Sequence, residues 1–550
     1  MSLREVIDDI DRQLPQFNDK LLLEYNKNLI NSCPEYVDRV FRHAIEYIND
    51  ALRDLNREQN ATIYAAPTAY VEPTTVEYIG HRTMSPLDQV KYEINKGLSK
   101  DKVSIERDEK ILEEYSFRVN GELYTVALYL PFWINNGLIM NGKTYAVKHV
   151  LCDKIVRIPS GDGIMLRVMR SPLHFWRNEE IVLKDIHGKE TSAKYVTVKA
   201  HYKNSTNKIY KRTPLVLYLL AEYGLVKAMA LLGYGGRITL SQTADEDDDV
   251  YLYFPVLPDI YVKCEATSFS DISFRRVVAS LVYILKLAAP DIEDFAQLSG
   301  GKEYQFAQLF DTPLYVATIG KIIYGQKIAY NQAKGHGESH LASLKTYVDT
   351  VSRNEFKRDY NIDIKNIFDL FITVFFNIDN WLADYSPNNL FEKRLGNVDK
   401  LLRSSITTTL FNRIYKAVRG KELKPKNIAD ALRIPSMKIN DIYKDESIAT
   451  GTEAYNDDML FNQLCHKLLQ ARKADGAPAG NDSNTINHKE HQFSPTFVAI
   501  ESILSISTSN PGVAGDINPF AQIDDDGCFD ESKMPWYEQI KGLRDLLVPL

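Results

Sequence analysis

Cysteine is scarce in this 550-residue chain, and its five thiols (Cys33, Cys152, Cys264, Cys465 and Cys528) stand far apart. No CxxC pair exists, so a zinc knuckle built from this chain alone is not expected. An odd, scattered set also argues against a disulfide framework and for reduced thiols. Long apolar runs are lacking too. The longest candidate, Ile367 to Ile378, is too short to cross a bilayer and is flanked by charge. The first residues, MSLREVIDDIDRQLPQF, have no apolar h-region and do not read as a signal peptide. A soluble, non-secreted protein without membrane contact is the expectation. Net positive charge is missing as well: the formal sum is −7. The chain as a whole does not advertise nucleic-acid binding, which depends on local Lys and Arg.

The motifs of self-sufficient enzymes are also absent. Gly300-Gly301-Lys302 lacks the earlier glycine and the following Ser or Thr of a P-loop. Gly233-Tyr234-Gly235-Gly236 follows a helical segment rather than a strand, so it is not a dinucleotide fingerprint. His488-Lys489-Glu490-His491 has the wrong spacing for a metalloprotease, and no nucleophile elbow occurs. Asp524-Asp525-Asp526-Gly527 with Asp530 offers clustered carboxylates of the kind Mg²⁺ favours, but Gln522 and Lys533 occupy ligand positions of a calcium loop. It reads as a solvated acidic loop. No catalytic residue and no metal site are expected here, so chemistry would come from another chain.

The composition that remains is that of a globular protein, 44% hydrophobic and 25% charged, with aromatics at 11%. The length exceeds what one core organises, so several domains are expected. Residues 1 to about 60 read as helical, with Ile7, Ile10, Leu14, Leu21 to Tyr25, Val37, Val40, Phe41 and Ala44 at helical spacing. Residues 62–86, with Pro67, Pro73 and Pro86, read as extended. Two hairpins follow around Asn120-Gly121 and Asn141-Gly142, since Asn-Gly tolerates the positive φ that tight β-turns require. Strands run on through Ile155 to Met169. Residues 214–232 form a helix with proline at its start. Asp245 to Asp249 is a solvated loop, and Val250 to Cys264 is strand-like. Residues 272–380 are mostly helical, interrupted near Gly300 and Gly335, and 473–490 is a polar loop.

One segment departs from the overall charge. Between Lys393 and Lys438 lie twelve basic residues and three acidic ones, a local sum of +9. Leu395, Val398, Leu402, Ile406, Leu410, Ile414 and Val418 form a helical stripe through it. The expectation is a helix with one buried face and a basic outer surface.

Three blocks carry a family resemblance. The first is Leu130-Pro131-Phe132-Trp133-Ile134-Asn135-Asn136-Gly137-Leu138-Ile139-Met140-Asn141-Gly142-Lys143-Thr144-Tyr145-Ala146-Val147. The second is Asp384, then Lys393-Arg394-Leu395-Gly396-Asn397-Val398-Asp399-Lys400-Leu401-Leu402, continuing to Arg413-Ile414-Tyr415-Lys416. The third runs from Pro495-Thr496-Phe497-Val498-Ala499-Ile500 through Ser505 to Ser509 and Asp516-Ile517-Asn518-Pro519-Phe520-Ala521-Gln522-Ile523. In this order they resemble the N-terminal half of the β subunit of multisubunit DNA-dependent RNA polymerases, split from its C-terminal half as in giant bacteriophages. The third block is similar to the family's rifampicin-pocket region, which lines the path of nascent RNA. A departure follows it: Asp524, Asp525 and Asp526 stand where the family continues with basic residues.

The resemblance implies an α+β, multidomain protein. Residues 1–150 would be the first part of a protrusion, 151–340 a lobe-like insertion, 341–492 the second part of the protrusion with the basic helix, and 493–550 a fork and rifampicin-pocket-like segment with a tail. It implies a non-catalytic subunit of DNA-directed RNA polymerase that forms one wall of the DNA and RNA channel. The partners would be a β C-terminal fragment, β′-like chains and, in some settings, a promoter-specificity subunit, together with DNA template and nascent RNA. Mg²⁺ would be held by the β′-like chain. Ser507, Asn510, Asp516, Asn518, Pro519 and Gln522 would face the RNA hybrid. Lys393, Arg394, Lys400, Arg403, Arg413, Lys416 and Arg419 would contact phosphate, which positions nucleic acid without reading sequence. The setting would be the cytoplasm of the infected bacterial host, with packaging in the virion left open. Two other readings fit the composition: a phage structural protein, and a stand-alone nucleic-acid-binding protein.

Overall fold

The structure, a computed structural model, describes residues 24–63, 74–98, 110–199, 202–203, 208–209, 212–295, 306–384, 393–419, 424–434, 452–454, 470–473, 514–518 and 521–533, apart from positions 135–136, 141, 148, 161–162, 167, 169–171, 326, 346, 349, 397 and 525–526. The fold is α+β and divides into two compact units. Unit 1 comprises Met1–Lys154 and Ser386–Leu550, and unit 2 comprises Ile155–Tyr385.

Unit 1 begins with α1 (Glu24–Asn31) and α2 (Cys33–Ile63). In α2, Tyr36, Val37, Val40, Phe41, Ala44, Ile45, Ile48 and Leu52 are buried, an apolar stripe at helical spacing. The earlier expected helix residues, Ile7 to Leu21, lie outside the described residues. The stripe covers a sheet of β1 (Val76–Thr83), β2 (Lys110–Val119) and β3 (Glu122–Pro131), antiparallel in that order; α3 (Pro86–Leu98) lies between β1 and β2 in sequence. Phe41 stacks on Tyr115 with ring centroids 5.1 Å apart. The expected turn at Asn120-Gly121 closes the hairpin: Val119 pairs with Glu122, with φ of 51° at Asn120 and 83° at Gly121. A second sheet then forms from β4 (Trp133–Ile134), β5 (Gly137–Met140) and β6 (Lys143–Val147), with Met140 opposite Lys143 across the second expected turn. Strand β7 (His149–Asp153) ends this part of the unit.

Unit 2 opens on β8 (Val156–Ser160) and β9 (Gly163–Leu166), followed by β10 (Leu173–Lys184) and β11 (Glu190–Lys199). A short ribbon of β12 (Tyr202–Lys203) and β13 (Lys208–Ile209) leads to β14 (Arg212–Pro214). The large sheet has the order β14-β11-β10-β9-β8. Then come α4 (Leu215–Leu231), β15 (Ile238–Ser241), β16 (Tyr251–Leu257), β17 (Ile260–Glu265), α5 (Ile272–Phe295), α6 (Thr312–Tyr324), α7 (Tyr330–Leu344), α8 (Thr350–Tyr360) and α9 (Ile367–Asp384). The helical character expected up to residue 380 continues to Asp384, and these helices pack with unit 2. One core joins Phe175, Val196, Leu217, Tyr218, Leu281, Tyr315 and Phe371.

The expected helix over 214–232 is broken at Gly224, whose φ of 72° no helix accepts. The carbonyl of Phe310 approaches so closely that a Cβ there would meet it at 2.7 Å, and the same oxygen accepts the Leu225 N–H at 3.2 Å. The interruption expected near Gly335 does not occur: α7 runs through Gly335 and Gly337. The chain turns at Gly325 instead, with φ 124°. The reason is a close crossing of α6 and α7. A Cβ on Gly320 would lie 1.9 Å from the Ala333 carbonyl oxygen, and one on Gly337 would lie 2.0 Å from that of Val316. Glycine here serves helix contact rather than helix termination.

Unit 2 pairs several polar groups that are buried or half-buried. Lys321 pairs with Asp291 in the interior. Asp379 receives Arg276 and Arg177 together, and hydrogen bonds from Arg276 above all hold its carboxyl below the usual range. The Tyr218 hydroxyl and His340 Nε2 lie 3.0 Å apart in the core, and burial pushes the His340 imidazole down to about 4.

Two outcomes are expected. Gly320→Ala or Gly337→Ala should cost about 2–3 kcal/mol, because the helices must separate to admit a methyl group; calorimetry should show unit 2 melting about 5 °C lower. The second concerns pH. His340 is neutral in the fold, whereas an exposed imidazole protonates near 6.5, so its contribution is complete above 6.5 and lost as pH falls toward about 4. The thermal midpoint of the native chain should fall over that window, and His340→Gln should flatten the fall.

Candidate functional site

The chain returns to unit 1 through β18 (Lys393–Leu395) and then α10 (Val398–Leu402), a π-helical turn at Arg403–Thr408, α11 (Thr409–Arg419) and α12 (Pro425–Leu432). Three further strands follow: β19 (Thr452–Ala454), β20 (Gln470–Lys473) and β21 (Ala514–Asp516). These close the two sheets that β4 to β7 began. One has the order β19-β6-β5-β4 and the other β18-β7-β20-β21.

The second sheet joins the strand that directly follows the first block to the second and third blocks, while the first block itself lies in the other sheet. Strand β7, directly after the first block, pairs antiparallel with β18 of the second, setting Asp153 opposite Lys393 and Leu151 opposite Leu395. On its other side β7 pairs parallel with β20, and β20 pairs antiparallel with β21 of the third block, with Gln470 opposite Asp516. The β5–β6 hairpin of the first block lies just upstream, in the other sheet.

The end of the third block folds back onto β18. Ile523 bridges to Phe529, and Arg394 bridges to Cys528. The Leu395 N–H donates to the Gly527 carbonyl at 2.8 Å. Within the turn, the Asp524 carboxylate accepts the Cys528 N–H at 2.8 Å, and the Asp524 N–H donates to the Cys528 carbonyl at 2.9 Å. Gly527 has φ 80°, and a Cβ there would lie 2.8 Å from the Tyr25 hydroxyl and 3.1 Å from the Leu395 carbonyl oxygen. Tyr25 in turn donates to the Gly396 carbonyl at 3.2 Å. So Asp524 heads a tight turn. Asp524 is exposed, in keeping with the solvated loop expected, yet its carboxylate also organises the backbone. Asp530 is held below the usual carboxylate range by hydrogen bonds from Lys533 and Ser532. Tyr25, Gly527 and Cys528 were not among the expected site residues. The Asp-Gly pair between Ile523 and Phe529 is the sequence signal for this turn.

The basic segment separates into two kinds of position. Lys393 and Arg394 are buried on β18, at 7% and 5% exposure, not on the outer surface expected of them. A three-residue strand covered on both edges leaves no solvated side, and charges so covered need partners within the protein. Arg413 and Lys416 are exposed on α11. Arg413 also donates to the Asp430 carbonyl of α12 at 2.8 Å, so it ties the two helices together. Lys400 stands in α10, Arg403 opens the π-helical turn and Arg419 ends α11, while their side chains lie outside what the structure describes. Of the residues expected near RNA, Asn518 is buried, Gln522 is half-buried and Asp516 ends β21. Ser507, Asn510 and Pro519 lie outside the described residues.

The expected stripe has its buried face. Val398, Leu402, Ile406, Leu410 and Ile414 are buried and Val418 is half-buried. They recur every fourth residue, which on a regular α-helix drifts by about 40° per step. The π-helical turn takes up part of that drift by adding a residue to one turn. It also seats Thr407 against α2, where its hydroxyl lies 2.9 Å from that of Tyr36.

Among the described residues, no group of three His, Cys, Asp or Glu is placed to hold a metal ion, and no helix is long and apolar enough to cross a membrane. The chain belongs to the non-virion RNA polymerase subunit family, whose family model matches residues 4–541. It is a component of an RNA polymerase, and other subunits of that enzyme are its partners. No curated protein matches the chain.

The Gly527 turn yields a graded expectation. Gly121→Ala should cost about 1 kcal/mol, since φ is positive there and the surrounding space is open. Gly527→Ala should cost more, because it adds collisions with Tyr25 and Leu395 to the same strain. Denaturant unfolding of both variants, with limited proteolysis of the C-terminal segment, checks the order.

Proposed function

We propose that this chain is the N-terminal part of a split β-like subunit and forms one wall of the channel that holds template DNA and nascent RNA. The observation that carries this reading is the meeting of the second and third blocks with the strand that directly follows the first. Segments near residues 150, 393 and 514 share one sheet, and the tail of the third block closes on the strand of the second. Family membership supports the wider reading of an RNA polymerase subunit active in the infected cell. It favours that reading over a structural protein of the particle.

In this reading residues 1–150 and 341–492 correspond to the protrusion, 151–340 to the lobe and 493–550 to the fork, although residues 341–385 group with unit 2. The chemistry is nucleotidyl transfer by two metal ions, and a β′-like partner holds the Mg²⁺. This chain supplies position rather than reaction. Arg413 and Lys416 on the exposed side of α11 are the leading phosphate contacts, with Lys400, Arg403 and Arg419 along the same segment. Lys393 and Arg394 serve the sheet instead. Ser507, Asn510, Asp516, Asn518, Pro519 and Gln522 line the RNA side, where small polar groups can hydrogen-bond a backbone without sequence preference.

Purification of the tagged chain from infected cells, with mass spectrometry and a promoter-independent RNA synthesis assay, tests this. Recovery of a β-like C-terminal fragment and β′-like chains with Mg²⁺-dependent synthesis is the expected result. Recovery of the chain with copies of itself alone, and no synthesis, would overturn it.

A further inference from the structure

Helix α3 of unit 1 is rolled the wrong way for a chain that stands alone. Its sequence, PLDQVKYEINKGL, sets Leu87, Val90 and Ile94 at spacings of three and four, on one stripe of the helix. In a lone chain such a stripe turns inward. Here the three side chains are 65%, 55% and 46% exposed. The opposite side, with Asp88, Gln89, Tyr92 and Glu93, is the half-buried one. Single exposed apolar residues are ordinary, whereas an aligned set marks an interaction surface.

Polar and aromatic contacts on the inward side fix the roll. The Ser85 hydroxyl accepts the Asp88 N–H at 3.2 Å and donates to the Asp88 carboxylate at 2.8 Å, which caps the first turn. The Gln89 side-chain amide donates to the Met84 carbonyl at 3.0 Å. Tyr92 meets Tyr129 of β3 edge-on, with ring centroids 6.1 Å apart, and the Tyr129 hydroxyl donates to the Glu93 carboxylate. A half-turn of the helix that brought the stripe inward would break the Tyr92 and Glu93 contacts. The exposed apolar surface also reaches beyond the helix. Strand alternation puts Leu123, 61% exposed, on the face of β3 that carries Tyr129.

We propose that the outer side of α3 is a docking surface for another subunit of the polymerase, which lays an amphipathic helix on Leu87, Val90 and Ile94 and sets a carboxylate against Lys91. Three observations point to this occupant. The chain belongs to a family of RNA polymerase subunits, so it works in an assembly. A stable complex buries about 800 Å² per partner. Three side chains fall well short of that, so the stripe is one element of a wide interface, of the kind permanent subunits form. Charge argues against a second copy. Lys91 borders the stripe with its side chain 63% exposed, and its own contact with Asp88 is long, at 3.8 Å. A two-fold pairing of the stripe with itself, centred on Val90, would bring the Lys91 of both copies together, whereas a different subunit can offer a carboxylate there. Docking here follows from membership of the family and needs neither the β-like reading nor the α11 cations.

The test uses the full chain in the assembled enzyme, with benzoylphenylalanine in place of Val90, irradiation, and mapping of the attached peptides. The expected product joins position 90 to a peptide of a different polymerase subunit, with apolar residues at helical spacing and an Asp or Glu among them. Attachment to this chain itself, in the same copy or a second one, would overturn the proposal. Two substitutions separate docking from folding. Val90→Glu leaves the thermal midpoint of the chain alone unchanged or higher, and lowers its affinity for the remaining subunits at least about tenfold. Tyr92→Ala, on the inward side, lowers the midpoint of the chain alone. A lower midpoint for Val90→Glu would assign the stripe to the chain's own fold and overturn its role in docking. An enzyme that assembles with no cross-link at position 90 would overturn docking at α3 and leave the subunit reading standing.

Discussion

The fold of unit 1 depends on one short ladder, the pairing of His149–Asp153 with Lys393–Leu395. The chain leaves for unit 2 just after the first of these strands and returns just before the second, so the ladder must hold across the whole excursion. The entropy of closing a loop grows only logarithmically with its length, and an inserted unit with its own core brings its own stability. Three residue pairs are still a weak clasp. The flanks reinforce it: Gln470–Lys473 pairs with one edge, and the Gly527 turn caps the other through the Leu395 N–H.

This explains why the most basic stretch of the chain is divided in its use. Lys393 and Arg394 stand on the clasp itself and are covered from both sides, while Arg413 and Lys416, a helix later, face outward. The proposed role as a channel wall would use both kinds of position. Rigid strands fix where the nucleic acid lies, and a cationic helix face attracts its phosphates. The acidic run after Ile523 follows the same logic. Its first carboxylate accepts a backbone N–H and shapes the turn that closes the sheet.

Local features were the legible ones. The Asn-Gly hairpins stood out because a positive φ leaves a residue signature, and the helical stripe because periodicity does. The strict four-residue spacing from Val398 to Val418 also carried the signal for the π-helical turn, since a regular helix cannot keep that spacing on one face. Other features misled. Lys393 and Arg394 resembled surface cations beside a helix, and nothing local marks a three-residue strand whose partners lie hundreds of residues away. Gly335 resembled a helix break, because glycine disfavours helices in isolation; only the carbonyl that a crossing helix sets against neighbouring Gly337 gives the opposite reason.

The central claim is that the sheet joining the second and third blocks lines the path of nascent RNA. Its most direct test is cross-linking in elongation complexes of the assembled enzyme, with a photoreactive base near the RNA 3′ end and mapping of the attached peptides. The account predicts cross-links to the segment from Asp516 to Gln522. Efficient cross-linking to other subunits, with none to this segment, would contradict it.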